Sequence, residues 1–322
     1  MEKIRAAVIG VGYLGRFHAQ KYAQAPGCEL LAVVDARADT REAVGAELKV
    51  RALADHRDLL GAVDAVSVVT PTPAHFAIAR DFLEAGAHVL VEKPITETPA
   101  QARELIAVAA RAQRILQVGH LERFNAAILA AEPYLKSPNF VECHRMAPYR
   151  ERGTDVNVVL DLMIHDIDIV QTIVGAPIAT IDAVGTPVFS DEIDIANARL
   201  RFANGCVANA TASRVSMKTE RKLRIFEDDA YLSLDLQQKI LTVIRKRAST
   251  EPAGPLPVTI EEQSLEPGDA LKAEIDSFLG CIREGRAPVV PGEAGLTALE
   301  TAIRITEQVH HSLAERAARA RP

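Results

Sequence analysis

The stretch Ile4-Arg-Ala-Ala-Val-Ile-Gly-Val-Gly-Tyr-Leu-Gly15 decides the reading of this chain: an apolar run, Ile4–Ile9, leads straight into Gly10-x-Gly12-x-x-Gly15. A second apolar run, Leu30–Val34, closes on Asp35. Gly10 permits a tight turn, Gly12 lets the backbone approach a pyrophosphate, and Gly15 lets the next helix pack closely on its strand. The helix that follows presents unpaired N–H groups and a positive dipole end to phosphates, so Tyr13 and Leu14 join the glycines as cofactor-contacting candidates. Asp35 lies about 20 residues beyond the last glycine, the spacing expected of a carboxylate that binds ribose hydroxyls. Arg37 is placed to reach a 2′-phosphate. Ribose recognition by the strand-end acid is the simpler reading, and the expected cofactor is NAD.

Outward from this motif, short apolar runs alternate with amphipathic helical stretches up to about residue 120. The predicted strands are Ile4–Ile9, Leu30–Asp35, Val63–Thr70, His88–Val91 and Ile115–Val118; the predicted helices include Leu14–Ala25, Ala74–Ala85 and Pro99–Ala112. This alternation implies a parallel sheet covered on both faces, with ligands bound beyond the carboxyl ends of the strands. At those ends lie Thr70-Pro71-Thr72-Pro73 with His75, then Glu92-Lys93-Pro94, then Gly119-His120. After Asn125 the pattern changes. A strongly apolar helix, Val158–Val174, precedes closely spaced strands at Ile178–Phe189, Ile193–Phe202, Cys206–Val215, Arg221–Phe226, Ala230–Leu236 and Lys239–Ile244. Strands without intervening helices predict an antiparallel sheet. Ser249–Pro257 reads as a loop, and two helices, Ala270–Arg283 and Glu293–Ala317, finish the chain. The expected fold is α/β: a Rossmann domain over 1–121, then a substrate and oligomerisation domain over 122–322 with a large, mostly antiparallel open-faced sheet.

Composition narrows the function classes. The 322 residues suggest about two domains. A net charge of -6 and a pI near 5.9 give no reason to expect nucleic-acid binding. Trp is absent and aromatics are 4%, which also disfavours a base-stacking surface. Cys28, Cys143, Cys206 and Cys281 form no CxxC pair and read as reduced packing residues. With no signal peptide and no bilayer-length apolar run, a cytoplasmic protein is expected, with no membrane partner.

Three groups of residues carry chemistry. Lys93 projects from the carboxyl end of a buried strand, and Pro94 ends that strand. A lysine so placed hydrogen-bonds a substrate hydroxyl or exchanges a proton; a surface lysine paired with Glu92 is the bland alternative. Asp161 and His165 share one face of the helix Val158–Val174. An acid and a histidine among Leu162, Met163, Ile164 and Ile167 need a reason to be there, because unpaired buried polar groups cost roughly 2–7 kcal/mol. A core histidine satisfied by Asp161 is the competing reading, and Asp168 is placed either to orient the ring or to serve structure. No third and fourth ligands stand out, so no metal is expected. The basic stretches Arg145, Arg150, Arg152 and Arg214, Lys218, Arg221, Lys222, Arg224 either grip a diphosphate or form solvated strand faces.

Taken together, Gly10–Gly15, Thr70-Pro71 with His75, Glu92-Lys93-Pro94, Arg123-Phe124 and Asp161-x-x-x-His165 resemble the Gfo/Idh/MocA oxidoreductase family. The resemblance implies dehydrogenation of secondary alcohols of sugars, sugar nucleotides or cyclitols, with homodimers or homotetramers formed through the C-terminal sheet. It places Lys93, Asp161 and His165 at catalytic positions. Gly10, Gly12, Gly15, Asp35, Thr70, Pro71, His75, Glu92, Lys93 and Arg123 fall at the cofactor, and Lys93, Arg123, Arg152, Asp161 and His165 at the substrate. Within the family, Val118–Ala126 and Val159–Asp168 look most like members that oxidise the 3-hydroxyl of a UDP-activated amino sugar. A partner aminotransferase then aminates the ketone for lipid A. Ala126 departs from that subgroup, where proline is expected. His165 is expected to accept the hydroxyl proton and Lys93 to stabilise the oxygen, although the reverse assignment fits the residues equally well. A free-sugar or inositol dehydrogenase is the alternative enzyme; a non-catalytic dinucleotide- or sugar-sensing regulator is the alternative of another class.

Overall fold

The computed structural model describes residues 3–150, 156–247 and 257–319. In the first third, β-branched and alanine-rich runs too short for helices pair as strands. Elements follow in the order β1 (Ile4–Ile9), α1 (Tyr13–Gln24), β2 (Cys28–Val34), α2 (Ala38–Leu48), β3 (Arg51–Leu53), β4 (Ala65–Val68), α3 (His75–Glu84), β5 (His88–Glu92), α4 (Pro99–Ala112) and β6 (Leu116–Gly119). The six strands are parallel in the order β3-β2-β1-β4-β5-β6. This is the doubly wound order, in which the chain reverses its winding between β1 and β4 and leaves a crevice at their carboxyl ends. Several boundaries follow from local chemistry. Pro99 starts α4 behind a capping box in which the Thr98 hydroxyl accepts from Gln101 N and the Gln101 side chain accepts from Thr98 N. Strand β4 is shorter than the predicted Val63–Thr70, and the helix α2 and strand β3 carry too weak a periodicity to stand out in the sequence.

The second sheet belongs to α5 (Ala126–Ala131), β7 (Phe140–Met146), a π-helical turn at Val159–Met163, α6 (Ile164–Val174), β8 (Ile178–Thr186), β9 (Ile195–Phe202), β10 (Val207–Ser213), β11 (Glu220–Phe226), β12 (Ala230–Asp235), β13 (Ile240–Lys246) and β14 (Val258–Ser264). Its order is β14-β13-β12-β11-β7-β10-β9-β8, antiparallel throughout except where β7 lies parallel to β10. Sequence patterning misses β7 because its alternation is carried by unusual residues. Val141, Cys143 and Arg145 are buried, while Glu142 and His144 point to the other face. Helix α6 packs on the covered face against β7 and β10.

Two helices complete the chain, α7 (Ala270–Glu284) and α8 (Gly292–Arg319). Sequence patterning alone runs the second domain unbroken from 122 to 322. The folded chain forms one compact unit from residues 1–121 with Asp269–Leu299 and another from Glu122–Gly268 with Glu300–Pro322. The physical reason is the apolar face of α7: Leu271, Ile275, Phe278 and Leu279 complete the core made by Ala19, Tyr22, Leu30 and Leu90. Most of the predicted loop Ser249–Pro257 lies outside the described residues. No described helix is long and apolar enough to cross a membrane.

His88, at the start of β5, accepts a hydrogen bond at Nδ1 from Ile115 N (3.0 Å) and is held neutral. Burial, with help from the Arg114 charge, lowers its pKa from 6.5 to about 4. The unfolded chain therefore takes up this proton at a higher pH than the folded one. The stabilisation is complete above about 6.5 and is lost as pH falls towards about 4. Thermal melts across this window should show a steeper acid-side fall in the native protein than in H88Q, whose amide oxygen accepts the same bond without titrating.

Candidate active site

The turn after β1 is built by exclusion. Gly10 has φ of +85°, and a Cβ there would lie 2.6 Å from the Val69 carbonyl oxygen. A Cβ at Gly15 would come within 1.8 Å of the Gly10 carbonyl oxygen. Gly12 differs: its φ of -61° suits any residue, and a Cβ would meet nothing within 4 Å. Its missing side chain clears an open side instead of an internal contact. The first turn of α1 has no side-chain cap at Gly12 and no acidic residue, so its positive dipole end suits an anion. Asp35 braces the loop, its Oδ2 accepting from Val11 N (3.0 Å) and its Oδ1 from Arg37 N (2.9 Å). Each oxygen keeps a further lone pair for a ribose hydroxyl. The open Gly12, the uncapped helix and the braced carboxylate fit NAD, with Gly10–Gly15 for the diphosphate and Asp35 for the ribose.

Beyond β4 and β5, the loops carrying Thr70-Pro71 and Glu92-Lys93-Pro94 are joined by His75. Its Nε2 lies 2.8 Å from Thr70 O and its Nδ1 2.9 Å from Pro94 O. Burial lowers the His75 pKa, while the two carbonyls and the Glu92 charge work in the opposite direction. The ring is buried with both nitrogens facing backbone, so it shapes the two loops from within. The Lys93–Pro94 peptide is cis, and Lys93 N donates to Glu92 Oε2 (3.3 Å).

Behind Lys93 lies a group that the sequence reading does not assemble. His18 from α1, Glu92 from β5 and Glu274 from α7 bring one nitrogen or oxygen each within 4.8 Å of one another. His18 Nε2 is 3.2 Å from Glu92 Oε1, and His18 Nδ1 is 3.2 Å from Ser67 Oγ, which is 2.9 Å from Tyr22 OH. Gly119 is also part of this arrangement, since a Cβ there would lie 2.8 Å from Glu92 Oε1. Signals for these residues exist in the sequence. His18 falls on the Gly15–Ala19–Tyr22 face of α1, and Glu274 falls on the apolar face of α7 between Leu271 and Ile275.

In the second unit, Asn157 Oδ1 accepts from Val159 N and Leu160 N (both 3.1 Å) and starts the π-helical turn that carries Asp161. His165 follows in the first turn of α6. The wider π turn leaves residues four apart on nearly one face, as in an α-helix. Asp161, Leu162 and His165 are half-buried while Met163, Ile164, Asp166 and Ile167 are buried, so one side of this helix stays accessible. The buried acids take arginine partners. Arg123 donates to both Asp168 oxygens (2.6 and 2.8 Å), and Arg145 donates to both Asp166 oxygens (2.9 and 2.8 Å) and to Glu122 Oε1 (2.8 Å). Arg214 donates to Asp194 Oδ1 (2.7 Å) and Ser190 Oγ (3.1 Å). Of the basic stretches weighed as a diphosphate grip, Arg145 and Arg214 are therefore buried internal ties. Arg221 pairs with Glu122 (3.2 Å) and Arg224 with Glu142 (2.9 Å). Arg150 is exposed. Arg152 lies outside the described residues.

A doubly wound sheet with an open glycine loop, joined in the same chain to a large mixed sheet, defines a nicotinamide-dependent oxidoreductase. Comparison with known proteins agrees. Residues 4–120 match the oxidoreductase family with the NAD-binding Rossmann fold, and residues 135–313 match its C-terminal α/β domain. The chain belongs to the Gfo/Idh/MocA oxidoreductase family. It is 41% identical over 310 residues to UDP-N-acetylglucosamine 3-dehydrogenase of Acidithiobacillus ferrooxidans, covering 95% of this chain and 97% of that one. A solved structure of that enzyme superposes with a TM-score of 0.90 at 40% identity, over 96% of this chain and 98% of the other. The scyllo-inositol 2-dehydrogenase (NAD(+)) of Bacillus subtilis is 25% identical over 97% of this chain and 95% of its own length.

The two kinds of glycine separate by substitution. G15A forces the Gly10 backbone to move and should lower stability by about 1–3 kcal/mol. G12A should change stability by less than about 0.5 kcal/mol. It should nevertheless weaken NAD binding by on the order of tenfold, about 1.4 kcal/mol. Denaturant melts and calorimetric NAD titration read the two effects separately.

Proposed function

We propose that this protein oxidises the 3-hydroxyl of UDP-N-acetylglucosamine to the ketone, with NAD as hydride acceptor. The observation that carries this reading is the 41% identity, over almost the full length of both chains, to a dehydrogenase of that substrate. Lys93 donates a hydrogen bond to the alcohol oxygen and stabilises negative charge as it develops there. His165 accepts the hydroxyl proton, a transfer suited to an imidazole near neutral pH. Asp161, one helical turn earlier, orients that imidazole or binds the sugar. Bound NAD supplies the electrophilic ring carbon that takes the hydride. The Gly10–Gly15 loop holds the diphosphate, Asp35 the ribose, and the loops that His75 ties together border the reactive end. The 3-keto product would serve an aminotransferase making 3-amino sugars for lipid A, with both enzymes acting in the cytoplasm. The second sheet supplies the surface for a homodimer or homotetramer.

Oxidation of a free polyol is the second reading, favoured by the 25% identity to an inositol dehydrogenase. Because Arg145 and Arg214 are tied internally, reversing their charge would test folding and not substrate choice; Arg150 and Lys218 are the better probes. A panel of UDP-sugars, free hexoses and inositols, followed by NADH absorbance with an aminotransferase and glutamate to remove ketone, decides between the two. NADH formation with UDP-N-acetylglucosamine alone is the expected result, and turnover of inositol alone would sink it. Silence across the panel with NAD bound would favour a sensor. K93A and H165A should each lower kcat by about 10²–10⁴-fold with NAD affinity retained. If H165A keeps near-native turnover at high pH, the roles of His165 and Lys93 are reversed.

A further inference from the structure

Glu274 lies on α7, far in sequence from the strand ends, yet it is buried with no hydrogen-bond partner at either carboxyl oxygen. Its carboxyl shares the space behind Lys93 with Glu92 and His18, all within 4.8 Å. Two carboxylates this close in a buried site do not both ionise. The surroundings decide which one does. Glu92 has the His18 ring at 3.2 Å, the Lys93 backbone N–H at 3.3 Å, and the Cα of Gly119 packed against it. Glu274 has none of these.

Polarity along the chain of contacts supports the same choice. Tyr22 OH lies 2.9 Å from Ser67 Oγ, Ser67 Oγ lies 3.2 Å from His18 Nδ1, and His18 Nε2 lies 3.2 Å from Glu92 Oε1, an ion-pair distance without hydrogen-bond geometry. With Ser67 O–H donated to His18 Nδ1, the tautomer that the network favours puts the ring proton on Nε2, the nitrogen nearer the Glu92 carboxylate.

We propose that Glu274 is a neutral carboxylic acid, that it and the His18 relay hold Glu92 as the single anion of this cluster, and that Glu92 fixes the neighbouring Lys93 for its work on the alcohol oxygen. His18 and Glu274 are thus positioning residues. The proposal rests on the reading of Lys93 given above. The direction of titration agrees with the geometry. Burial and the Glu92 charge push the Glu274 carboxyl well above the usual range. Burial also works to raise Glu92, but His18 and the Lys93 charge outweigh it and hold that carboxyl below the usual range. The groups beside Glu92 are His18 from α1, Glu274 from α7 and the adjoining Lys93; Ser67 from β4 and Tyr22 from α1 lie beyond His18, and the Glu92 charge reaches the His75 ring of α3.

Infrared difference spectroscopy on the NAD-bound protein at neutral pH tests the charge assignment. A protonated-carboxyl C=O stretch should be present in the native protein and absent in E274Q. The pH profile of kcat/KM tests the positioning role. H18L removes the imidazole beside Glu92 and should move the acid limb upward by about one pH unit. H18Q, which keeps an amide donor, should bring it back. No protonated-carboxyl band in the native protein, as a bound cation with both acids ionised would give, overturns the proposal. So does a band that survives in E274Q, or an acid limb that stays in place in H18L. The infrared readout needs no turnover. An inactive substrate panel or an active K93A would therefore remove the Lys93 reading and leave the proton on Glu274 separately measurable.

Discussion

A helix cannot approach a strand more closely than the bulk of the residues at the crossing, and here that bulk is zero. With Gly15 so near the Gly10 carbonyl that any side chain is excluded, α1 lies directly against the β1 turn. Two consequences follow from this one approach. On the open side lie Gly12, where a Cβ would meet nothing within 4 Å, and the first turn of α1, which has no side-chain cap. On the inner side, the same helix brings His18 and Tyr22 to Ser67 and Glu92. The cofactor loop and the buried polar chain behind Lys93 are thus two faces of one packing contact.

The second unit solves a different problem, that of holding an accessible acid and imidazole on a helix whose other positions are buried. Asp166 and Asp168 would be costly inside the protein if left alone, and each takes a two-pronged arginine partner, Arg145 and Arg123. Burial disfavours the Arg145 charge, but Asp166 and Glu122 more than compensate and raise its pKa. These ties come from β7 and from the segment just before α5, so they fix the rotation of α6. With its buried acids anchored, the helix leaves Asp161 and His165 on its accessible side.

Most of the dinucleotide domain was legible because its signals are local. Glycine spacing, strand length and the acid after β2 each depend on a few neighbouring residues. The parts that were not legible depend on partners far away in sequence. Arg145 reads as one of several surface cations until β7 carries it under α6, and its strand is disguised because a buried arginine breaks the expected apolar alternation. Glu274 reads as an ordinary helix residue until α7 packs beside α1. A π-helical turn before α6 has no sequence signature of its own, though the Asn157 side chain that starts it is visible afterwards.

The sequence by itself determined the doubly wound sheet, the glycine turn after β1 and the strand-end position of Lys93, because steric limits at glycine and the period of apolar residues act within a few residues. Only the tertiary structure decided that Asp269–Leu299 belongs with the first unit, that Arg145 and Arg214 are internal ties, and that Glu92 has a second acid behind it. Those outcomes turn on which charges share a low-dielectric interior. Coulomb and desolvation energies there depend on distances across the fold, which spacing along the chain does not record.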